Sequence, residues 1–209
     1  MQEEEIKSIN NAIKRAVKKK NVPELRKLVD SIELSNIRVP FHIAVNTDDQ
    51  WFPLKGYVDM IEILGDKGLD VNIKRNGKPP LNLIASKGQG TGYLEVYAYI
   101  GVYLLLHGAD VKLLDNKGKS ALFHALTGCN EPNFVEALID AGSDVNLVVP
   151  NNGQYTSPCD ISILGQAYWN GHQFFDLLVE RGAKMTEDEI NYLKSINRPL
   201  HPKDYKPEN

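Results

Sequence analysis

Several things are scarce in this chain of 209 residues, and each scarcity closes off a class of protein. There are two cysteines, Cys129 and Cys159, with no C-x-x-C spacing. That excludes a disulfide scaffold and fits a reducing compartment. No apolar run approaches the roughly 20 residues of a transmembrane helix, so no membrane partner is expected. The opening Met1-Gln2-Glu3-Glu4-Glu5 is acidic and lacks the charged-then-apolar pattern of a signal peptide, so the expected location is cytoplasmic. A basic excess is missing too: 24 lysines and arginines stand against 27 acidic residues, a net charge of -3. Dedicated nucleic-acid binders carry such an excess, so nucleic acid is not an expected partner. What the composition allows is a buried core, with 42% hydrophobic and 24% charged residues.

Motifs that carry chemistry are equally sparse. The five histidines show no H-x-x-x-H or H-E-x-x-H spacing, so no zinc site is expected. Gly88-Gln89-Gly90-Thr91-Gly92 is glycine-rich, but it lacks the G-x-x-x-x-G-K-[ST] pattern and follows a helix instead of a strand. It reads as a connector. No Ser/His/Asp or Cys/His arrangement follows from residue order. The expectation is a protein that is not an enzyme and has no cofactor and no metal.

A repeat is what the chain does have. Gly68-Leu69-Asp70-Val71-Asn72, Gly108-Ala109-Asp110-Val111 and Gly142-Ser143-Asp144-Val145-Asn146 share one pattern, worn down in Gly182-Ala183-Lys184-Met185. The glycines are 40, 34 and 40 residues apart. Such a period implies stacked supersecondary units, and stacked units build extended binding surfaces. Four residues before each glycine is a leucine: Leu64, Leu104, Leu138 and Leu178. Four earlier again come Met60, Ile100, Phe134 and Phe174. That spacing puts each pair on one helix face. The helix ends at glycine because glycine enters the left-handed conformation at little cost. The aspartate that follows suits a turn closed onto backbone amides. Asp70, Asp110 and Asp144 do not form a calcium ladder, because packed helices lie about 8–10 Å apart and one ion cannot bridge that gap.

Upstream of each close lies a second block. It reads Val39-Pro40-Phe41-His42-Ile43-Ala44, Pro79-Pro80-Leu81-Asn82-Leu83-Ile84, Ser120-Ala121-Leu122-Phe123-His124-Ala125 and Ser157-Pro158-Cys159-Asp160-Ile161-Ser162. Proline suits the first helical turn, and Ser120 and Ser157 suit the N-cap before it. Each unit is therefore a short helix, a connection, a second helix and an extended turn.

These blocks resemble the ankyrin repeat, whose pattern opens Thr-Pro-Leu-His-x-Ala and closes Leu-Leu-x-x-Gly-Ala-Asp-Val-Asn. The resemblance covers about residues 5–185 and implies an all-α fold, a solenoid of stacked helix-turn-helix units with hairpin-like connections. One domain is expected over 1–197: a helix-pair cap at 5–35, repeats at about 36–74, 75–114, 115–147 and 148–185, and a C-terminal capping helix at 187–196. Thr186-Glu187-Asp188-Glu189 forms a capping box for that last helix. Residues 198–209, with Pro199, Pro202 and Pro207, form an extended or disordered tail.

The resemblance also implies structural roles for the histidines of the opening motif. Those roles fall to His42 and to His124, which is one place off the column. Cys159 shares the column of Phe41, Leu81 and Leu122 and is expected to be a buried small residue. Cys129 falls in a loop, where exposure is open. The basic cluster Lys14-Arg15 and Lys18-Lys19-Lys20 reads as a solvated helix face. Asn152-Gly153 is a hairpin-turn pair in an enlarged turn over 148–155. Tyr97, at helical spacing from Ile100, is assigned to the core.

The family binds proteins with its concave face and hairpin tips. That implies a protein partner met by Lys74, Arg75 and Asn76, by Asp115, Asn116 and Lys117, and by Asn151 to Tyr155. Trp51 and Phe52, in a polar insertion, are either anchors or patches on the solenoid's own packing. The unbound chain is expected to be monomeric, acting as an inhibitor, immunity factor, adaptor or effector. The alternative is an enzyme, or a small-ligand or glycan binder, built from the insertion loops 46–56 and 86–93.

Overall fold

A computed structural model describes residues 2–37, 41, 54–88, 93–153, 157–170 and 172–201. The chain starts with two helices packed on each other, α1 (Glu3–Lys18) and α2 (Val22–Asp30), followed by a 3-10 turn at Leu34–Asn36. Then come α3 (Leu54–Asp66), α4 (Pro80–Ala85), α5 (Leu94–Leu106), α6 (Ala121–Ala125) and α7 (Pro132–Asp140). A two-stranded antiparallel pair, β1 (Val148–Val149) and β2 (Ile161–Ser162), precedes α8 (Ile163–Asn170). A 3-10 turn at His172–Phe174 leads into α9 (Phe175–Glu180), and α10 (Glu187–Ser195) closes the stack. The result is an all-α solenoid: short helices α4, α6 and α8 alternate with partners α5, α7 and α9, each unit packed on the next.

The leucine column is what welds the units. Leu64, Leu104, Leu138 and Leu178 are fully buried, and so are Met60, Ile100 and Phe134, with Phe174 nearly so. They belong to one core running from Ile13 on α1 to Leu193 on α10. Tyr97 packs against this core half-buried, as its helical spacing predicts.

The helix ends repeat as closely as the core does. Gly68, Gly108, Gly142 and Gly182 all have positive φ, between 84° and 90°. In each case the leucine carbonyl accepts the N–H of the residue after the glycine: Leu69 to Leu64 at 3.3 Å, Ala109 to Leu104 at 2.9 Å, Ser143 to Leu138 at 3.1 Å, Ala183 to Leu178 at 2.9 Å. This is the Schellman close, which satisfies a carbonyl left open at the end of a helix. The aspartates behave as turn residues: Oδ1 of Asp70, Asp110 and Asp144 accepts the N–H of Asn72, Lys112 and Asn146.

Helix starts agree with expectation in two units and differ in the last. Pro80 opens α4, and Ser120 caps α6 by accepting the Phe123 N–H at 3.1 Å. The fourth short helix does not open at Ser157. It starts at Ile163, and Ser162 Oγ accepts the Gly165 N–H at 2.9 Å. The reason is the length of the preceding turn: β1 pairs Val148 with Ser162 and Val149 with Ile161, which holds 157–160 in a loop. Cys159 accordingly lies half-buried in that loop, 2.9 Å from Ser157 Oγ, and not in the helix column. For Cys129, whose exposure the sequence left open, the structure gives burial. It is fully buried, its Sγ donates to the Leu94 carbonyl, and burial pushes the thiol up to about 11.

At the C-terminal end the capping box forms as the spacing predicts. Thr186 Oγ1 accepts the Glu189 N–H, and Glu189 Oε2 accepts the Thr186 N–H. Of the tail, residues 198–201 are described, and they fold back. The Tyr168 hydroxyl donates to the Pro199 carbonyl at 2.8 Å, and His201 stacks edge-on against Phe175.

Candidate binding surface

Between successive units the chain projects as fingers. The first covers residues 70–79, the second 110–119 and the third, much longer, 144–162. In the first, Asn76 and Gly77 have φ of 49° and 72°, and Arg75 and Lys78 exchange backbone hydrogen bonds of 3.1 and 3.0 Å. Two positive φ values in a two-residue loop define the turn whose twist matches a hairpin. The tight Asn-Gly hairpin of this chain therefore lies at 76–77. Asn152-Gly153 does not form one, since the strands flanking it, β1 and β2, are joined by the whole of 150–160.

The first two fingers are zipped together. Asn72 Nδ2 donates to the Gly108 carbonyl at 2.9 Å, and its Oδ1 accepts the Asp110 N–H at 2.8 Å. Lys74 Nζ donates to the Leu114 carbonyl at 2.7 Å, and Asn116 Nδ2 to the Asn76 carbonyl at 3.3 Å. Below them the fully buried Asn82 on α4 donates to the carbonyls of Leu113 and Lys119. The third finger passes near the second at Pro150, whose ring would lie 3.8 Å from a Cβ placed on Gly118.

Inside the second finger sits a buried, hydrogen-bonded Asp–His pair. Asp115 Oδ1 accepts the N–H groups of Lys117 and Lys119, and Oδ2 lies 2.8 Å from His124 Nε2. Burial alone would raise this carboxyl, but the His124 and backbone hydrogen bonds outweigh it and hold it down at about 2. His124 thus has the structural role expected of it. His42 lies outside the described residues, and Asp115, expected at the partner surface, is buried instead.

Of the residues expected to meet a partner, Lys74, Arg75 and Asn76 are exposed on the first finger, and Asn116 and Lys117 on the second. The zipper brings these five together. Asn151 is half-buried and committed to its own loop: its side chain accepts from the Gly153 N–H and donates to the Ser157 carbonyl, and its backbone N–H donates to Asp160. Trp51, Phe52 and Tyr155 lie outside the described residues, as do loops 46–53 and 89–92 of the rival site. Asn72 and Asn82, which fix the geometry, are not among the residues the sequence singles out. The first finger was expected at 74–76, and the Asn-Gly pair at 76–77 is the signal that could have marked its tight turn. Among the described residues no three His, Cys, Asp or Glu side chains gather as metal ligands, and no helix is long and apolar enough to cross a membrane.

Comparison with known proteins agrees with this geometry. A family model for ankyrin repeats, in three copies, matches residues 42–149, just over half of the chain. Over 132 residues the chain is 32% identical to the Homo sapiens protein named ankyrin repeat and SOCS box protein 6. It is 31% identical over 132 residues to the Pongo abelii protein of the same name. These matches cover 60% of this chain and 28% of each relative, so the chain spans less than a third of the length of the curated relatives it matches. Ankyrin repeats serve in general as protein–protein interaction modules and are in general not catalytic. Stacked helix pairs, glycine closes, projecting fingers and the family match all point one way: this chain belongs to the ankyrin-repeat family.

Proposed function

We propose that this chain binds a partner protein through its fingers and concave face and acts by occupying a site on that partner. Inhibitors, immunity factors, adaptors and effectors all work in this way. The contact residues are Lys74, Arg75, Asn76, Asn116, Lys117 and Asn151, with Trp51, Phe52 and Tyr155 as aromatic contributions. The observation that carries the reading is the zipper between the first two fingers. Hydrogen bonds of Lys74 and Asn116 to the neighbouring finger hold the tips in one arrangement before any partner arrives. Ordering a loop at binding costs affinity, so tips already fixed are suited to recognition. On this proposal the chain acts in the cytoplasm and is monomeric until bound.

Affinity capture with mass spectrometry tests this reading. Wild type is compared with a variant carrying Trp51→Ala, Arg75→Ala and Tyr155→Ala, after a melting curve shows that the variant folds. The expected result is one protein recovered in stoichiometric amount with wild type and lost with the variant. An empty wild-type capture overturns the protein-binding reading. Undiminished capture by the variant overturns the surface.

A further inference from the structure

Charge is sorted by element in this molecule. Helices α3, α5, α7 and α9 carry eight carboxylates and one lysine, Lys55. The first two fingers, residues 70–79 and 110–119, carry six cations: Lys74, Arg75, Lys78, Lys112, Lys117 and Lys119. Their three aspartates are committed within the fingers. Asp70 and Asp110 hold their own turns by Oδ1, and Asp115 is buried on His124 and two backbone amides.

The placement of the cations works against the fold. Arg75 and Lys78 face each other as a bridged pair across the Asn76-Gly77 turn. Like charges directly opposite on paired strands are destabilising. Among the described residues no carboxylate forms an ion pair with Lys74, Arg75, Lys78 or Lys112. The nearest compensation for Lys74 is a carbonyl, that of Leu114. A rigid, zipped platform with an excess of positive charge, six cations against three aspartates, is complementary to a negative partner surface.

Resting on the reading of the chain as a protein binder, we infer that the first two fingers dock an acidic, carboxylate-rich segment of the partner, laid across Arg75, Lys78, Lys112 and Lys117. A single-stranded nucleic acid is the poorer fit. Its bases stack on aromatic side chains, and residues 70–79 and 110–119 contain no Phe, Tyr or Trp. The carboxylates of α3, α5, α7 and α9 would also repel a long polyanion.

The experiment uses the full chain and a fluorescent glutamate-rich dodecapeptide, with a glycine-serine peptide and a single-stranded oligonucleotide alongside, read by anisotropy. Two variants of equal net charge are compared: Arg75→Glu/Lys78→Glu/Lys117→Glu on the fingers, and Lys7→Glu/Lys14→Glu/Lys27→Glu on α1 and α2. Melting curves establish that both fold. The proposal expects wild type to bind the acidic peptide alone, and binding to weaken about tenfold as salt rises from low to high. It expects the finger variant to lose at least about tenfold in affinity and the helix variant to keep it. No binding at low salt overturns it, as does equal loss in both variants, tighter binding of the oligonucleotide, or self-association through the fingers. Full retention of a captured native partner by the finger variant would sink the acidic-segment proposal while leaving protein binding intact. An empty capture by wild type would instead remove the reading beneath it.

Discussion

Asp115 shows how a single residue can look like surface and serve as frame. Its place between Leu114 and Asn116 at a finger tip reads as a contact residue. In the structure its side chain is 1% exposed and ties together the loop from 115 to 119 and α6 through His124. Nothing in residue order shows this, because the pairing depends on a loop that curls back nine positions. The same pairing makes the stability of the protein depend on pH. The folded carboxyl sits at about 2, below its ordinary 3.8, so it stabilises the fold above pH 3.8. That contribution is lost as pH falls from 3.8 through about 2. Its size is about 2 kcal/mol, since each tenfold gain in acidity on folding corresponds to about 1.4 kcal/mol. Asp115→Asn should lower stability at neutral pH by about that amount and flatten the decline between about pH 4 and about pH 2. Urea titrations at stepped pH read both, and parallel acid profiles for wild type and variant would contradict the assignment.

Among the elements, the repeated closes were the most legible part, because leucine, glycine and aspartate at fixed offsets each answer a local backbone demand. The short-helix openings were legible where Pro80 stands in the first turn of α4 and Ser120 caps α6. They were not at the fourth unit, where Ser157-Pro158 imitates an opening while pairing of β1 with β2 defers the helix to Ile163. Contacts between fingers were invisible to a reading of one unit at a time. Asparagine four residues beyond the glycine provides them: Asn72 reaches Gly108 and Asp110, and Asn146 reaches the Gly182 carbonyl at 3.2 Å and the Lys184 N–H at 2.9 Å. At the same place in the intervening unit stands Lys112, and no such staple spans to Gly142 and Asp144 among the described residues. Lys112→Asn should supply it. Two hydrogen bonds at a partly exposed site are worth about 1 kcal/mol together. A rise in urea midpoint with unchanged slope is the expected outcome. Lys112→Leu, which can make neither bond, should show no such rise; an equal gain in both variants would mean that removing the lysine, and not adding a staple, is what stabilises.

At the scale of the whole molecule, the solenoid is held at its C-terminal end by one buried acid. Glu189 is 4% exposed, and its carboxylate bonds in two directions: Oε2 completes the capping box of α10, and Oε1 accepts the Ser162 N–H at 2.9 Å where α8 begins. The absence of a side chain at Gly165 makes room for it, since a Cβ there would overlap Glu189 Oε1. The capping box was legible from Thr186 and Glu189, whereas the grip on α8 was not, because it spans 27 residues. In a stack where each unit touches its neighbours, loss at one end stays local. Glu189→Ala strands the buried Ser162 amide and the half-buried Thr186 amide, each worth about 1.5–3 kcal/mol when bonded to a charged acceptor. Hydrogen exchange should therefore accelerate by orders of magnitude in α8, α9 and α10, while amides of α1, α2 and α3 keep wild-type protection. Equal loss of protection along the entire chain would mean that the units unfold as one body, and that the last helix supports all of them instead of sealing only the end.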